Sequence, residues 1–99
     1  MCGILGVSGA LDARRLQLSL AAIAHRGPDD SGLVVDQAAG IALGHTRLAI
    51  LDLSPAGHQP MTSDDEQVAL VFNGEIYNFR ELRATLEAKG VEFRGHSDT

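Results

Sequence analysis

The chain has 99 residues, 44% of them hydrophobic and 21% charged, and its net charge at pH 7 is −5. This length suits one small domain, and the composition is that of a folded, soluble protein rather than a disordered one. The acidic balance, without any run of lysine or arginine, argues against a nucleic-acid-binding protein. No apolar run approaches the roughly 20 residues that cross a bilayer, which argues against a membrane protein.

The single cysteine, Cys2, cannot form an internal disulfide, and the first residues lack the basic stretch of a signal peptide. We therefore expect a cytoplasmic location. The four histidines match no metal-ligand spacing, and no cysteine pair accompanies them. We expect no metal site.

The first third of the chain predicts a strand followed by a helix. Residues Cys2–Val7 are apolar and bounded by glycine, which predicts a buried strand that holds the N-terminus inside the fold. A helix is predicted from a cap at Asp12 to about His25. Its buried positions recur at helical spacing and are Leu16, Leu20 and Ile23. Residues 26–30 contain Pro28 and are predicted to form a loop.

The middle of the chain predicts short strands separated by turns. Residues 32–36 and 41–46 are predicted to form a hairpin, and the apolar residues 48–51 follow. The range 54–66 is rich in proline, glycine and charged residues, which is typical of an exposed loop. A further strand is predicted over residues 68–72.

The second predicted helix begins at a cap on Asn78, with Glu81 as the capping-box partner, and is closed by Gly90. Its buried stripe would consist of Phe79, Leu82 and Leu86. Residues 91–94 predict the start of another strand, and no closing element precedes Thr99. We therefore expect these residues to form part of a larger domain.

Cys2 is a candidate nucleophile because of its position. In isolation, a cysteine near a terminus is more often a small buried residue without reactivity. If Met1 is removed, the α-amine of Cys2 itself lies close enough to accept the proton of the thiol. The thiolate is the reactive form. Such a residue would carry both the nucleophile and the base for attack on an amide carbonyl.

Two further residues could stabilise the oxyanion that this attack creates. Asn73 offers a side-chain amide and Gly74 a backbone N–H at the end of a predicted strand, and fixed donors of this kind stabilise a tetrahedral intermediate. The alternative is a tight turn, the usual role of an Asn-Gly pair. On these two residues alone, the turn is favoured.

Charged residues provide candidates for binding both ends of an amino acid. Arg47 follows an apolar strand, where its guanidinium could bind a substrate carboxylate through two hydrogen bonds. Glu75 and Asp98 could hold a substrate ammonium group. For each of them, and for Arg26, a solvated surface position is the alternative.

Five segments, in their order along the chain, resemble the N-terminal nucleophile glutaminase domain of class II glutamine amidotransferases. They are Met1-Cys2-Gly3-Ile4, His25-Arg26-Gly27-Pro28-Asp29, Gly44-His45-Thr46-Arg47-Leu48-Ala49-Ile50, Asn73-Gly74-Glu75-Ile76-Tyr77-Asn78 and Ser97-Asp98. The Pro28-Asp29 pair and the Ile76-Tyr77-Asn78 ending are most similar to the asparagine synthetase branch. The resemblance covers nearly the whole chain.

The resemblance implies hydrolysis of L-glutamine through a thioester on Cys2, with the α-amine of Cys2 as base. Asn73 and Gly74 would form the oxyanion hole. The substrate-binding residues that it implies are Arg47 for the carboxylate, Glu75 and Asp98 for the α-amine, and the main chain of Leu48, Ala49, Ile50 and Leu51.

The fold that the resemblance implies is α+β, a four-layer αββα sandwich of which residues 1–99 would supply about the first half. The implied partner is a synthetase domain or chain, expected to be absent from these residues, that uses ATP and magnesium to make asparagine with the released ammonia. No cofactor is expected in residues 1–99. An incomplete sandwich exposes strand edges and apolar faces, so pairing with another copy or another chain is a further candidate.

Two other functions stay open. The chain could be a catalytically incomplete module that binds glutamine or a partner protein. It could also be an amidotransferase for another ammonia acceptor, because the acceptor is chosen by the other domain. A purely structural role would require five ordered segments to match by coincidence.

Overall fold

The computed structural model describes all residues 1–99. Its strands are β1 (Gly3–Ser8), β2 (Asp30–Asp36), β3 (Ile41–Arg47), β4 (Met61–Thr62) and β5 (Ala69–Leu70). Its α-helices are α1 (Ala13–Ala22) and α2 (Phe79–Glu87), and two short 3₁₀ turns cover Ala24–Arg26 and Pro55–Gly57. The predicted α+β class is confirmed. Neither α-helix is long and apolar enough to cross a membrane.

β3 is the central strand of a three-stranded antiparallel sheet with the order β1-β3-β2. Gly3 pairs with Thr46 in one ladder, and Asp30 pairs with Arg47 in the other. Between β2 and β3, Gly40 adopts a φ of 64°, which glycine tolerates without steric cost. The predicted hairpin is confirmed, and β2 begins at Asp30, inside the predicted loop, because that residue still pairs with β3.

Helix α1 covers one face of this sheet and supplies most of the apolar core. Its N-terminus is capped by Asp12, whose carboxylate accepts a hydrogen bond from the Arg15 N–H at 2.8 Å. Leu16 and Leu20 are buried, and Leu20 lies over Gly44, where an added Cβ would come within 3.1 Å of the leucine Cδ1. The predicted cap at Asp12 and the burial of Leu16 and Leu20 are confirmed, whereas Ile23, also predicted to be buried, follows the end of α1 and is only half-buried.

Two further predictions for the first half of the chain are wrong. Helix α1 ends at Ala22 and not near His25, because the following residues tighten into a 3₁₀ turn. β1 is only half-buried, and Met1 and Ile4 are exposed. Successive side chains of a strand point to opposite faces, and α1 covers only one face of this sheet.

The second half of the chain consists largely of loops around a two-stranded sheet, in which Met61 pairs with Leu70 and Thr62 with Ala69. The strand predicted over residues 68–72 is reduced to β5, because β4 offers only two residues to pair with. The range 54–66 is not simply an exposed loop, since it contains β4 and buried residues. The strand predicted over residues 91–94 is absent.

Helix α2 lies where it was predicted but is not buried as predicted. Asn78 makes no capping hydrogen bond through its side chain, because its φ of −97° and ψ of 25° depart from the extended backbone of a capping residue. Gly90 has a φ of 89°, and the Val91 N–H donates to the Leu86 carbonyl at 3.1 Å, which confirms the predicted closure. Leu82 and Leu86 are 46% and 40% exposed, because the chain leaves this side of α2 uncovered.

Candidate active site

A pocket of about 290 Å³ opens beside Cys2, where β1 begins and β3 ends. Most of the site residues predicted from sequence line it, namely Cys2, Arg47, Ile50, Leu51, Asn73, Gly74, Glu75 and Asp98. These residues come from distant parts of the chain. The fold brings them to one concave surface.

Cys2 is fixed through both its backbone and its sulfur. Its carbonyl accepts a hydrogen bond from Arg26 Nε at 2.9 Å, so this arginine is not simply a solvated side chain. The Leu48 N–H donates to the Cys2 Sγ at 3.3 Å, and the sulfur lies 3.7 Å from the Leu48 carbonyl oxygen. Met1 also lines the pocket. While Met1 is present, the free α-amine belongs to Met1 and not to Cys2.

The segment after β3 contributes to the pocket in two ways. The main chain of Leu48 contacts the Cys2 sulfur, and the Ala49 N–H donates to the Asp29 carboxylate at 2.9 Å. Neither residue lines the pocket, although the resemblance implied that both would. Ile50 and Leu51 line the pocket, and their side chains are largely exposed. Ile50 and Leu51 therefore form part of the rim of the site, whereas Leu48 and Ala49 bond to Cys2 and Asp29.

Arg47 is the last residue of β3 and is only 7% exposed. Its Nη1 donates to the Ser54 carbonyl at 2.8 Å, and its Nη2 donates to the Asp52 carbonyl. No carboxylate of the chain forms an ion pair with it. A guanidinium has five N–H donors, so this buried cation keeps donors for an anion that the chain itself does not supply.

Gly57 leaves the space that this arginine occupies. A Cβ at Gly57 would overlap the Arg47 guanidinium. Gly57 is buried at the end of a 3₁₀ turn that the Ser54 hydroxyl caps through the Ala56 N–H. Sequence reasoning missed this role, because a glycine in a loop rich in proline carries no local signal of a side chain that crosses it.

Asn73 and Gly74 lie between β5 and α2 and face the pocket. They do not join two paired strands, and the tight turn favoured on these two residues alone is replaced by a bend at Gly74. A Cβ at Gly74 would come within 2.9 Å of the Phe72 ring, which leaves little room for a side chain there. Glu75 follows, exposed, on the same lining.

Two aspartates tie the C-terminal segment to the pocket. Asp98 accepts a hydrogen bond from the Ile76 N–H at 2.8 Å. Asp52, which the sequence did not single out, accepts from the Ser54 and His96 N–H groups, each at 2.8 Å. Hydrogen bonds from Ser54 and His96 lower the pKa of Asp52 to about 2. The Asp-Leu-Ser order at residues 52–54 predicts a local turn at most.

The histidines do not gather into a metal site. His58 Nδ1 lies 2.6 Å from the Asp30 carboxylate, and His45 is buried in the sheet. No group of three or more histidine, cysteine, aspartate or glutamate side chains is close enough to hold a metal ion.

Comparison with known proteins identifies the family. A family model described as "Glutamine amidotransferase domain" matches residues 1–99. The chain belongs to this glutamine amidotransferase family. The pocket gathers residues from four of the five segments that carry the resemblance, all except residues 25–29.

Three relatives show how much of a larger protein the family match covers. The glutamine-hydrolysing asparagine synthetase 1 of Bacillus subtilis is 42% identical, over 100% of this chain and 16% of its own length. A probable asparagine synthetase of Dictyostelium discoideum is 44% identical, over 99% of this chain and 18% of its own length. The Gibberella zeae protein named Amidase chry2 is 43% identical, over 84% of this chain and 12% of its own length. The chain spans less than a fifth of the length of these relatives.

Proposed function

We propose that residues 1–99 are part of the glutaminase domain of an asparagine synthetase-like enzyme and convert L-glutamine to glutamate and ammonia. The observation that carries this proposal is the pocket in which Cys2 meets Arg47, Asn73, Gly74 and Asp98. Similarity to two asparagine synthetases supports aspartate as the acceptor, activated with ATP and magnesium by a separate synthetase domain. We place the protein in the cytoplasm, because its single cysteine cannot form an internal disulfide.

Charge at the pocket supports an amino-acid substrate. Arg47 is buried without an internal counter-ion, and a substrate carboxylate would provide one. Glu75 and Asp98 carry the opposite charge on the same lining and suit the α-ammonium group. Glutamine bound by these two ends would leave its side-chain amide free to meet Cys2.

The proposed reaction needs only groups of this chain and water. After removal of Met1, the α-amine of Cys2 accepts the thiol proton, and Sγ forms a bond to the amide carbon of glutamine. The Asn73 side-chain amide and the Gly74 N–H donate to the oxyanion. When the C–N bond breaks, the nitrogen takes the proton from the α-ammonium and leaves as ammonia. Water then attacks the thioester, the C–S bond breaks, and glutamate is released with the thiol restored.

The proposal extends to the αββα sandwich. The sheet face opposite α1 exposes Ile4 and Ile41, and α2 exposes Leu82 and Leu86. A second sheet and its helix layer would bury such surfaces, and burial of apolar area stabilises a fold by about 25 cal/mol per Å². Residues 1–99 would then be about the first half of the domain.

The test is the intact mass of the chain before and after exposure to a glutamine-like diazoketone, with mapping of the adduct. We expect loss of Met1 and one adduct on Cys2. Cys2→Ala should take up no adduct and release no ammonia from glutamine. Ammonia release that is unchanged in Cys2→Ala would contradict the proposal.

The matched control moves the thiol rather than removing it. Ser8 is exposed at the far end of β1, so Ser8→Cys in the Cys2→Ala background keeps one thiol but places it outside the pocket. Absence of an adduct on that thiol shows that labelling requires the pocket and not merely a reactive sulfur.

A second candidate is a module that binds glutamine or a partner without turnover, or an amidotransferase for another acceptor. Met1 in the pocket lining and the uncovered apolar faces favour the first, and the different name of the Gibberella zeae relative favours the second. Calorimetry that detects glutamine binding or self-association, without ammonia release, supports the binding module. If calorimetry detects neither glutamine binding nor self-association, the binding module is ruled out.

A further inference from the structure

Phe72, which directly precedes Asn73, is held by two buried side chains instead of a neighbouring strand. It lies beyond β5, and no strand pairs with it. Its N–H donates to Gln59 Oε1 at 2.6 Å, and its carbonyl oxygen lies 3.2 Å from His45 Nε2. His45 and Gln59 are 0% and 5% exposed. Both backbone hydrogen-bonding groups of this residue are therefore satisfied by side chains from other parts of the chain.

The contact with the Phe72 carbonyl determines which ring nitrogen of His45 carries the proton. A carbonyl oxygen only accepts, so Nε2 carries the proton and donates to Phe72. Nδ1 is then the deprotonated nitrogen, and it is buried without any partner. A second proton would need an acceptor that the site lacks, and burial lowers the pKa of His45. Near this ring, Arg47 and His58 oppose a positive charge and Asp30 favours one.

The two side chains come from well-fixed positions. His45 lies in the central strand β3, opposite Ile4 on one side and Gly32 on the other. The loop that carries Gln59 packs directly on β2, where a Cβ at Gly32 would overlap the Gln59 carbonyl. The sheet therefore fixes both hydrogen bonds to Phe72.

We propose that His45 and Gln59 are positioning residues, which hold Phe72 and thereby place Asn73 and Gly74 at the pocket. This inference rests on the proposed function, in which those two residues stabilise the oxyanion. An oxyanion forms only after attack, so its stabilisation appears in kcat and not in substrate binding. Loss of the Phe72 hydrogen bonds should lower kcat and leave KM nearly unchanged.

Two isosteric variants separate this role from simple packing. In His45→Gln the side-chain amide nitrogen replaces Nε2 and keeps the donor to Phe72, whereas in His45→Asn it replaces Nδ1 and the donor is lost. We expect His45→Asn to lower kcat for glutamine hydrolysis by about 10- to 100-fold, since small misplacements of catalytic groups have effects of that size. His45→Gln should retain most of the activity. Gln59→Met should behave as His45→Asn does.

A second readout does not depend on turnover. The imidazole ¹⁵N shifts of the wild-type chain should report the Nε2–H form of His45. The amide resonances of Asn73 and Gly74 should move in His45→Asn and stay in place in His45→Gln. The control is His25→Leu, which alters an exposed histidine of the first 3₁₀ turn and should change neither kcat nor these resonances. Thermal melting of each variant checks that it is folded.

The outcomes separate the two proposals. Equal kcat in His45→Asn and His45→Gln, with unmoved Asn73 and Gly74 resonances, overturns the positioning role, and so does a proton on Nδ1. If the wild-type chain neither hydrolyses glutamine nor reacts with the diazoketone, the proposed function fails. In that case the tautomer and the two amide resonances still decide whether His45 and Gln59 hold Asn73 and Gly74.

Discussion

The two halves of the chain are held together by different interactions. The first half, residues 1–47, contains the three-stranded sheet and all the buried hydrophobic side chains of the core, which are Leu16, Leu20 and Ala42. In the second half, no residue from 61 onward is buried. Apolar packing therefore stabilises the half that carries Cys2, and it contributes much less to the half that carries Asn73 and Asp98.

Side-chain hydrogen bonds to the backbone order the second half instead. Arg47 donates to the Asp52 and Ser54 carbonyls, Asp52 accepts from the His96 N–H, and Asp98 accepts from the Ile76 N–H. A hydrogen bond of this kind contributes about 1 kcal/mol net to the free energy of unfolding. The pocket wall opposite the sheet is thus easier to perturb than the sheet itself, and changes in the two halves should have effects of different size.

The largest effect is expected from Leu20→Ala, because this side chain is buried between α1 and the sheet. Removal of a buried leucine side chain costs about 2 to 5 kcal/mol through lost burial and the cavity left behind. The free energy of unfolding, measured with urea, should fall by that amount. Leu18→Ala on the same helix, where the side chain is 61% exposed, is the control and should change little. Equal effects would mean that α1 does not form the core.

A smaller loss is expected from Gly57→Ala, because the added Cβ would overlap the Arg47 guanidinium. Insertion of one methyl group into a packed site costs about 1 to 3 kcal/mol. If Arg47 moves to relieve the overlap, glutamine affinity measured by calorimetry should fall as well. Gly6→Ala is the control, since nothing lies within 4 Å of a Cβ there. Unchanged glutamine binding in Gly57→Ala would argue against Arg47 as the carboxylate ligand.

The difference between the two halves also explains which structural features could be predicted from the sequence. The cap at Asp12, the leucines of α1 and the hairpin of β2 and β3 depend on residues close in sequence, and these predictions are confirmed. The burial of Leu82 and Leu86 needs a surface from elsewhere in the fold. Their spacing predicted an amphipathic helix correctly but could not predict whether a partner surface was present.

The residues that support the site were missed for a similar reason. The partner of Asp52 is the His96 N–H, 44 residues away, and the partner of Gln59 is the Phe72 N–H, 13 residues away. A single polar residue in a loop gives no sign of such a contact. The residues that line the pocket were found because the motif resemblance, and not local propensity, singled them out.

The N-termini of the two helices provide a further test of how differently the two halves of the chain are stabilised. Asp12 makes a capping hydrogen bond and Asn78 does not. Loss of a real cap costs about 1 kcal/mol, so Asp12→Ala should lower stability by that amount while Asn78→Ala changes it by a few tenths of a kcal/mol at most. Urea unfolding with circular dichroism as the probe measures both. A larger loss in Asn78→Ala would show that this residue caps α2 in solution.

The most local effect is expected from Asp52, and it depends on pH. The pKa of Asp52 is lowered from 3.8 to about 2 by its hydrogen bonds from Ser54 and His96. A lowered pKa means that the folded state favours the carboxylate, so the stabilisation is complete above about pH 4 and is lost as the pH falls towards 2. Asp52→Asn lacks this charge. The difference in stability between the wild type and Asp52→Asn should therefore be constant near neutral pH and shrink over that acidic range.

Urea unfolding measures the stability difference between the wild type and Asp52→Asn, and hydrogen exchange of the His96 amide shows where in the chain it arises. Asp65→Asn is the control, because the pKa of Asp65 is also lowered, first by the Ser63 hydroxyl, but its hydrogen bonds stay within one exposed turn. Asp65→Asn should leave the His96 amide protected, and Asp52→Asn should expose it. If the stability difference between the wild type and Asp52→Asn is unchanged at pH 2, the carboxylate charge of Asp52 does not order the segment that carries Asp98. The backbone conformation of the loop would then order that segment instead.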